Sequence, residues 1–183
     1  MPKRCQWGDT DDLLMRDYHD NEWGKPCFDE RKLFEMLILE CAQAGLSWRT
    51  ILHKREAYKL AFDNFDAEKV AGYSEDKIAE LMQNRNIIRN RLKIVSAVTN
   101  AQLVLKLGSL SNFIWSYVNN TPIVNAWENH NQIPATSSLS DQINKDMKKI
   151  GFKFIGSTII YSYLQSIGAV NDHMVWCEFR GQV

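Results

Sequence analysis

An apolar helix that stops at a glycine and restarts on a serine constrains this 183-residue chain more than any other feature. At about 100° per residue, Leu33, Leu37 and Ala44 share one face, with Met36 on its flank and Lys32 and Glu35 on the opposite, wet side. Asp29 is placed to cap this helix, which runs through Leu33 to Ala44. Gly45 suits the left-handed conformation that ends a helix, and Ser47 suits the cap of a second helix starting at Trp48. The stretch predicts a tight helix–turn–helix with Leu46 exposed at its tip.

Glu40 lies inside the apolar arc of the first arm. A carboxylate there is costly unless something pairs with it. Two readings follow. Glu40 is a core residue satisfied by a backbone N–H or an arginine, or it floors a pocket where a flat ligand stacks on Trp48. An aromatic platform beside an acceptor suits a nucleobase that carries N–H donors or positive charge.

The remaining segments are helical in pattern. Trp48, Leu52 and Tyr58 recur on a helix ending near Phe62, and Ser74 with Glu75 and Asp76 opens a short helix through Ile78, Leu81 and Met82. Asn84 to Asn86 breaks it, and a longer helix runs from about Ile88 to Leu105. Phe113 to Val118 is a short aromatic segment, and 119–138 reads as loop. Ser140 or Asp141 opens a helix with Ile143, Met147 and Ile150 at core spacing, and Ser157 caps a last one through Ile160, Leu164 and Ile167. No alternating strand pattern of useful length is present. The fold class is all-α, with residues 1–183 forming one domain, drawn out into two lobes at most.

Formal net charge is zero, which argues against a protein coated in basic charge but leaves room for a local patch. No segment approaches the roughly 20 apolar residues of a membrane span, and the first residues hold no apolar run. A cytoplasmic protein is expected, in which four cysteines serve as thiols or metal ligands rather than disulfides. His173 and Cys177 stand four residues apart, one helical turn if that segment is a helix, and Cys5 and His19 lie near the other terminus. Two Cys and two His would make a closed tetrahedral set, although Cys27, Cys41, His53 and His130 compete as ligands. Between Glu80 and Glu128 there is no acidic residue, and Arg85, Arg89, Arg91 and Lys93 cluster around the helix break, with Lys106 beyond them. Such a helix–turn–helix end offers N–H groups and cations to a phosphate.

Three segments together resemble the bacterial 3-methyladenine DNA glycosylase I family of the helix-hairpin-helix superfamily. They are Tyr18 to Gly24 (YHDNEWG), Glu40 with Ala42 to Trp48 (AQAGLSW), and Gly151 to Gly156 (GFKFIG) followed by Asn171, Asp172, His173 and Cys177. Cys5, with Trp7 two residues on, also fits. The resemblance implies one structural zinc on Cys5, His19, His173 and Cys177, joining the two ends of the chain. It implies a base pocket lined by Tyr18, Glu40 and Trp48, with Trp7 and Trp23 as further walls. The implied DNA-binding hairpin spans Leu81 to Ile94 and includes Arg85, Asn86, Arg89, Arg91 and Lys93, and Leu46 is the implied wedge filling the gap in the duplex. The activity it implies is hydrolysis of the N-glycosidic bond of 3-methyladenine in double-stranded alkylated DNA. Glu40 would be the catalytic carboxylate, free 3-methyladenine the product, and the protein a monomer without a membrane partner. The chain departs from the family where the hairpin turn uses glycine, because Asn86 stands there and would have to adopt the left-handed conformation. The catalytic aspartate that other superfamily members carry after the hairpin is also missing between Glu80 and Glu128. A competing reading is a non-catalytic, zinc-stapled DNA- or base-binding module.

Overall fold

The computed structural model describes residues 2–181. Helix α2 (Glu30–Gln43) is its axis, surrounded by α3 (Trp48–Ala61), α6 (Arg91–Leu107), α7 (Leu110–Ser116) and α9 (Ser157–Ser166). Every residue of α2 from Met36 to Ala42 is buried, so packing wraps this helix far beyond one stripe. Helix α1 (Leu13–Asn21) lies on α3. The short α4 (Ala67–Ala71) packs along α6, α5 (Glu75–Gln83) precedes the basic loop, and α8 (Ser138–Ile150) pairs with α9. Strands β1 (Ile123–Val124) and β2 (Val170–Asn171) form a two-residue parallel pair, with Ile123 opposite Val170. The protein is mostly helical, and among the described residues no helix is long and apolar enough to cross a membrane.

Local chemistry explains the boundaries. The side chains of Asp29, Ser47 and Ser74 accept from the N–H groups of Lys32, Thr50 and Lys77, as a capping residue should. Gly45 has φ +80°, with open space where a Cβ would project, so the requirement here is conformational rather than steric. Glu30 does more than start α2. Its carboxylate accepts from the N–H groups of Leu110 (2.9 Å) and Ser111 (3.2 Å), which caps α7 and ties it to the central helix.

Five expectations need correction. Helix α8 starts two residues before Ser140, because Ser137 is the cap and Ser140 completes a reciprocal capping box. Ser157 is the first residue of α9 rather than its cap, since its hydroxyl bonds Asp141 and Ser140 instead. Helix α6 starts at Arg91, not near Ile88, because the Asn90 side chain caps the Lys93 N–H. Asn86 is not among the residues with positive φ; the Asn84 side chain accepts its N–H at 2.9 Å and makes the turn without a left-handed residue. Glu35 is not on a wet face, since its carboxylate, 13 % exposed, pairs with Arg55 and Lys32.

Candidate functional site

The two ends of the chain meet in a buried group of four ligands. The ligand atoms of Cys5, His19, His173 and Cys177 all lie within 4.8 Å of one another, so the group could hold a metal ion. The His173 Nδ1 stands 3.5 Å from Cys5 Sγ and 3.4 Å from Cys177 Sγ, and His19 Nε2 stands 3.7 Å from Cys177 Sγ. Bonds of about 2.3 Å to sulfur and 2.0–2.1 Å to nitrogen in a tetrahedron place unlike ligands about 3.5 Å apart, which these spacings match. The outer partners point both rings inward. His19 Nδ1 donates to Asp20 Oδ1 (2.7 Å), leaving Nε2 for the centre, and Asp20 is itself clamped by Arg4. His173 Nε2 donates to the Trp23 carbonyl (2.9 Å), leaving Nδ1. The Cys177 thiol is held far below its usual range by its hydrogen bond with Cys5 and, against the cost of burial, by those with His173 and His19. Contrary to the helical spacing expected of His173 and Cys177, this segment is a turn, in which the Cys177 N–H bonds the Met174 carbonyl. A Cβ on Gly8 would run into the His19 imidazole, so Gly8 belongs to this centre although no motif singled it out. Gly8→Ala is expected to lower the melting temperature by several degrees, roughly 1–3 kcal/mol of overpacking, in a thermal melt.

Next to this group opens a cavity of about 300 Å³ lined by Trp7, Tyr18, Trp23, Glu40 and Trp48, together with residues of α9 and of the 130–135 segment. Trp7 stands edge-on to both Trp23 (5.0 Å) and His19 (4.9 Å), so the ligand group braces the cavity wall. Tyr18 packs on Trp48 at 5.1 Å. Glu40 is 3 % exposed, and its Oε2 has no hydrogen-bond partner among the described residues. The same holds for the buried Trp48 Nε1 on the adjoining helix. Neither a backbone N–H nor an arginine among the described residues satisfies this oxygen. Burial pushes the Glu40 pKa up from 4.5 to about 8. The cavity is therefore lined by an unpaired acid between aromatic walls, a combination suited to a flat ligand with donor atoms.

Leu46 is exposed beside a smaller recess that Glu40 also lines, at the tip between α2 and α3. The loop after α5 exposes Arg85, Asn86 and Arg89 around a shallow surface depression with Ile87 and Ile88. Its other cations are engaged. Arg91 pairs with Glu75 at 2.6 Å, and Lys93 donates to the carbonyls of Ala42 and Ala44, both at 2.7 Å, at the end of α2. Lys93 thus ties the basic loop to the Gly45 turn, a link that sequence reading missed because its partners lie about fifty residues away. Also unforeseen as lining residues were Tyr161 and Gln165, spaced one turn apart on α9. Of the competing ligands, Cys27 and Cys41 are free thiols elsewhere, His53 pairs with Asp12, and His130 lines the cavity.

The family profile described as methyladenine glycosylase matches residues 7–181. The DNA-3-methyladenine glycosylase 1 of Escherichia coli (strain K12) is 46 % identical over 179 residues, covering 96 % of this chain and 95 % of the relative. The DNA-3-methyladenine glycosylase of Haemophilus influenzae is 46 % identical over 184 residues, covering 98 % and 99 %. A solved structure of a single-substitution variant of 3-methyladenine DNA glycosylase I in complex with 3-methyladenine superposes with a TM-score of 0.93 at 39 % identity, covering 97 % of both chains. With the matched profile, the near-complete coverage and the shared fold, this chain belongs to the methyladenine glycosylase family.

Proposed function

We propose that this protein is a DNA-3-methyladenine glycosylase that hydrolyses the bond between 3-methyladenine and deoxyribose in alkylated duplex DNA, the first step of base excision repair. The observation that carries the reading is the unpaired, buried Glu40 carboxyl beside Trp48 in an aromatic-walled cavity. Relatives named for the same activity support it.

Alkylation at N3 makes the adenine cationic, so the glycosidic bond is already weak. As it breaks, its electron pair goes to the base, which leaves neutral. Water adds to the electron-poor sugar carbon and loses a proton. Little acid catalysis is needed, and the protein's task is to extract the nucleotide and hold it. Trp48 is the stacking platform, Tyr18, Trp7 and Trp23 wall the site, and Glu40 accepts from the base. A base with N–H donors or positive charge stabilises the anion that burial opposes, which rewards the alkylated base over its neutral parent. Leu46 fills the gap left in the duplex. Incubating the protein with methylated DNA and separating the freed bases tests this. Release of 3-methyladenine is expected, and an intact base complement would overturn the reading.

The ligand set of two thiols and two imidazoles suits a structural zinc, which when bound staples the termini and supplies no open position for water. The segment from α5 to α6 acts as the DNA-binding hairpin of a helix-hairpin-helix fold. Arg85 and Arg89, free of the contacts that occupy Arg91 and Lys93, carry the phosphate contacts. Arg85→Ala with Arg89→Ala should weaken DNA binding and flatten the dependence of log affinity on log salt by about two phosphates. Affinity for the free base should stay at the parental value, and an unchanged salt slope would contradict the assignment. The chain works as a cytoplasmic monomer, in a single domain.

A further inference from the structure

Behind the cavity wall sits a carboxylate, Asp172, to which the motif that carries it assigns no role. Asp172 is completely buried, between β2 and the ligand His173. Its Oδ1 accepts from Asn125 Nδ2 and Trp127 Nε1, and its Oδ2 from Tyr161 Oη and Gln165 Nε2, each at 2.7 Å. None of these four partners is charged. Two of them, Tyr161 and Gln165, line the cavity from α9. The other two begin the segment that supplies the opposite lining residues His130, Ile133 and Pro134.

We propose that Asp172 is a positioning residue that sets the hydrogen-bond polarity of two side chains in the base-binding cavity, turning Tyr161 and Gln165 on α9 into acceptors matched to the amino group of an N3-alkylated aminopurine. The inference rests on the proposed glycosylase reading. Both oxygens of Asp172 are filled as acceptors, and Tyr161 and Gln165 each spend a donor on Oδ2. Tyr161 has only one hydrogen to give, and giving it to Asp172 leaves only oxygen lone pairs for a ligand. Gln165 gives one of its two amide N–H groups to Asp172, which fixes the amide orientation and leaves Oε1 as the acceptor it offers a ligand. A purine with an exocyclic amine meets acceptors there. One with a carbonyl at the same place meets lone pairs against lone pairs. A buried mismatch of this kind discriminates between partners that shape alone does not separate.

An Asp172→Asn amide reverses the rule, because its NH₂ donates to Tyr161 Oη or Gln165 Oε1 and frees a hydrogen to point into the cavity. The test is ligand preference, which loss of packing alone does not change. The parental chain, Asp172→Asn, a Tyr161→Phe, Gln165→Leu chain and their combination are titrated with 3-methyladenine and with 3-methylhypoxanthine, its 6-oxo counterpart. Tryptophan fluorescence reports binding, and circular dichroism reports folding. The expected result is a parental preference for 3-methyladenine that narrows about tenfold in Asp172→Asn and in the wall double variant, with no further narrowing when they are combined. A parental preference ratio in a folded Asp172→Asn chain would reduce Asp172 to a structural residue and overturn the proposal. If Asp172→Asn does not fold, a parental ratio in the wall double variant overturns it equally, and a narrowed ratio supports it. A parental chain that binds neither base and frees none from methylated DNA overturns the underlying reading, and this inference with it.

Discussion

A Cys5→Ala, Cys177→Ala chain is expected to emerge from purification without zinc and to melt roughly 10–15 °C below the parent. The magnitude follows from topology. Cys5 and His173 are 168 residues apart, so a metal on this group closes almost the whole chain into one loop. Cross-linking loops of this length removes about 4–5 kcal/mol of unfolded-state entropy, and each kcal/mol is worth about 2–4 °C in a chain of this size. Trp7 and Trp23 pack edge-on against the His19 and His173 rings, so base affinity should also fall, by less than the stability does. Elemental analysis alongside a thermal melt checks the prediction. Full zinc content in the double variant, or an unchanged melting temperature, would contradict the ligand assignment.

Glu40→Gln has the larger consequence for function. The amide keeps the shape of the side chain but cannot carry negative charge, so 3-methyladenine should bind roughly 5–150-fold more weakly, the equivalent of about 1–3 kcal/mol for one unmatched buried partner. Stability should move the other way, and its pH dependence has a definite sign. The folded pKa of about 8 lies above the ordinary value of 4.5, so the folded state holds an extra proton between these limits. The stability contributed by the neutral carboxyl is fully present below about 4.5 and is lost as pH rises through 8. Glutamine does not titrate. The variant should therefore match the parent near pH 4.5 and exceed it by about 2–4 kcal/mol at pH 9, read from melts across that range. Ligand binding inverts the trend. A base that pairs with the anion expels the proton, so parental affinity should rise by up to about tenfold per unit between pH 6 and 8, a dependence that Glu40→Gln abolishes.

What the sequence made legible was whatever depends on near neighbours. The α2–turn–α3 unit follows from Asp29, Gly45 and Ser47, each acting within three or four residues of itself, and Glu40 stood out because helical periodicity is local too. The ligand group was legible as chemistry but not as geometry. Its ring orientations come from Asp20 and the Trp23 carbonyl, and the His173–Cys177 segment is a turn rather than the helix that its spacing suggested. Asp172 shows the limit most clearly. Asn125, Trp127, Tyr161 and Gln165 are scattered over two distant segments, and no spacing rule joins them to one carboxylate. In the basic loop, composition pointed to cations at Arg91 and Lys93. Only tertiary contacts reveal that Glu75 and the end of α2 already use them.

The central claim is that the unpaired Glu40 carboxyl in the aromatic cavity drives removal of the alkylated base. Single-turnover release of 3-methyladenine from methylated duplex DNA, run at about pH 7.5 with parental and Glu40→Gln protein side by side, measures it directly. Free 3-methyladenine should appear with the parent and at least about tenfold more slowly with the variant, although both are folded and equally loaded with zinc. Equal rates for the two proteins would contradict the account and return Glu40 to the ordinary core.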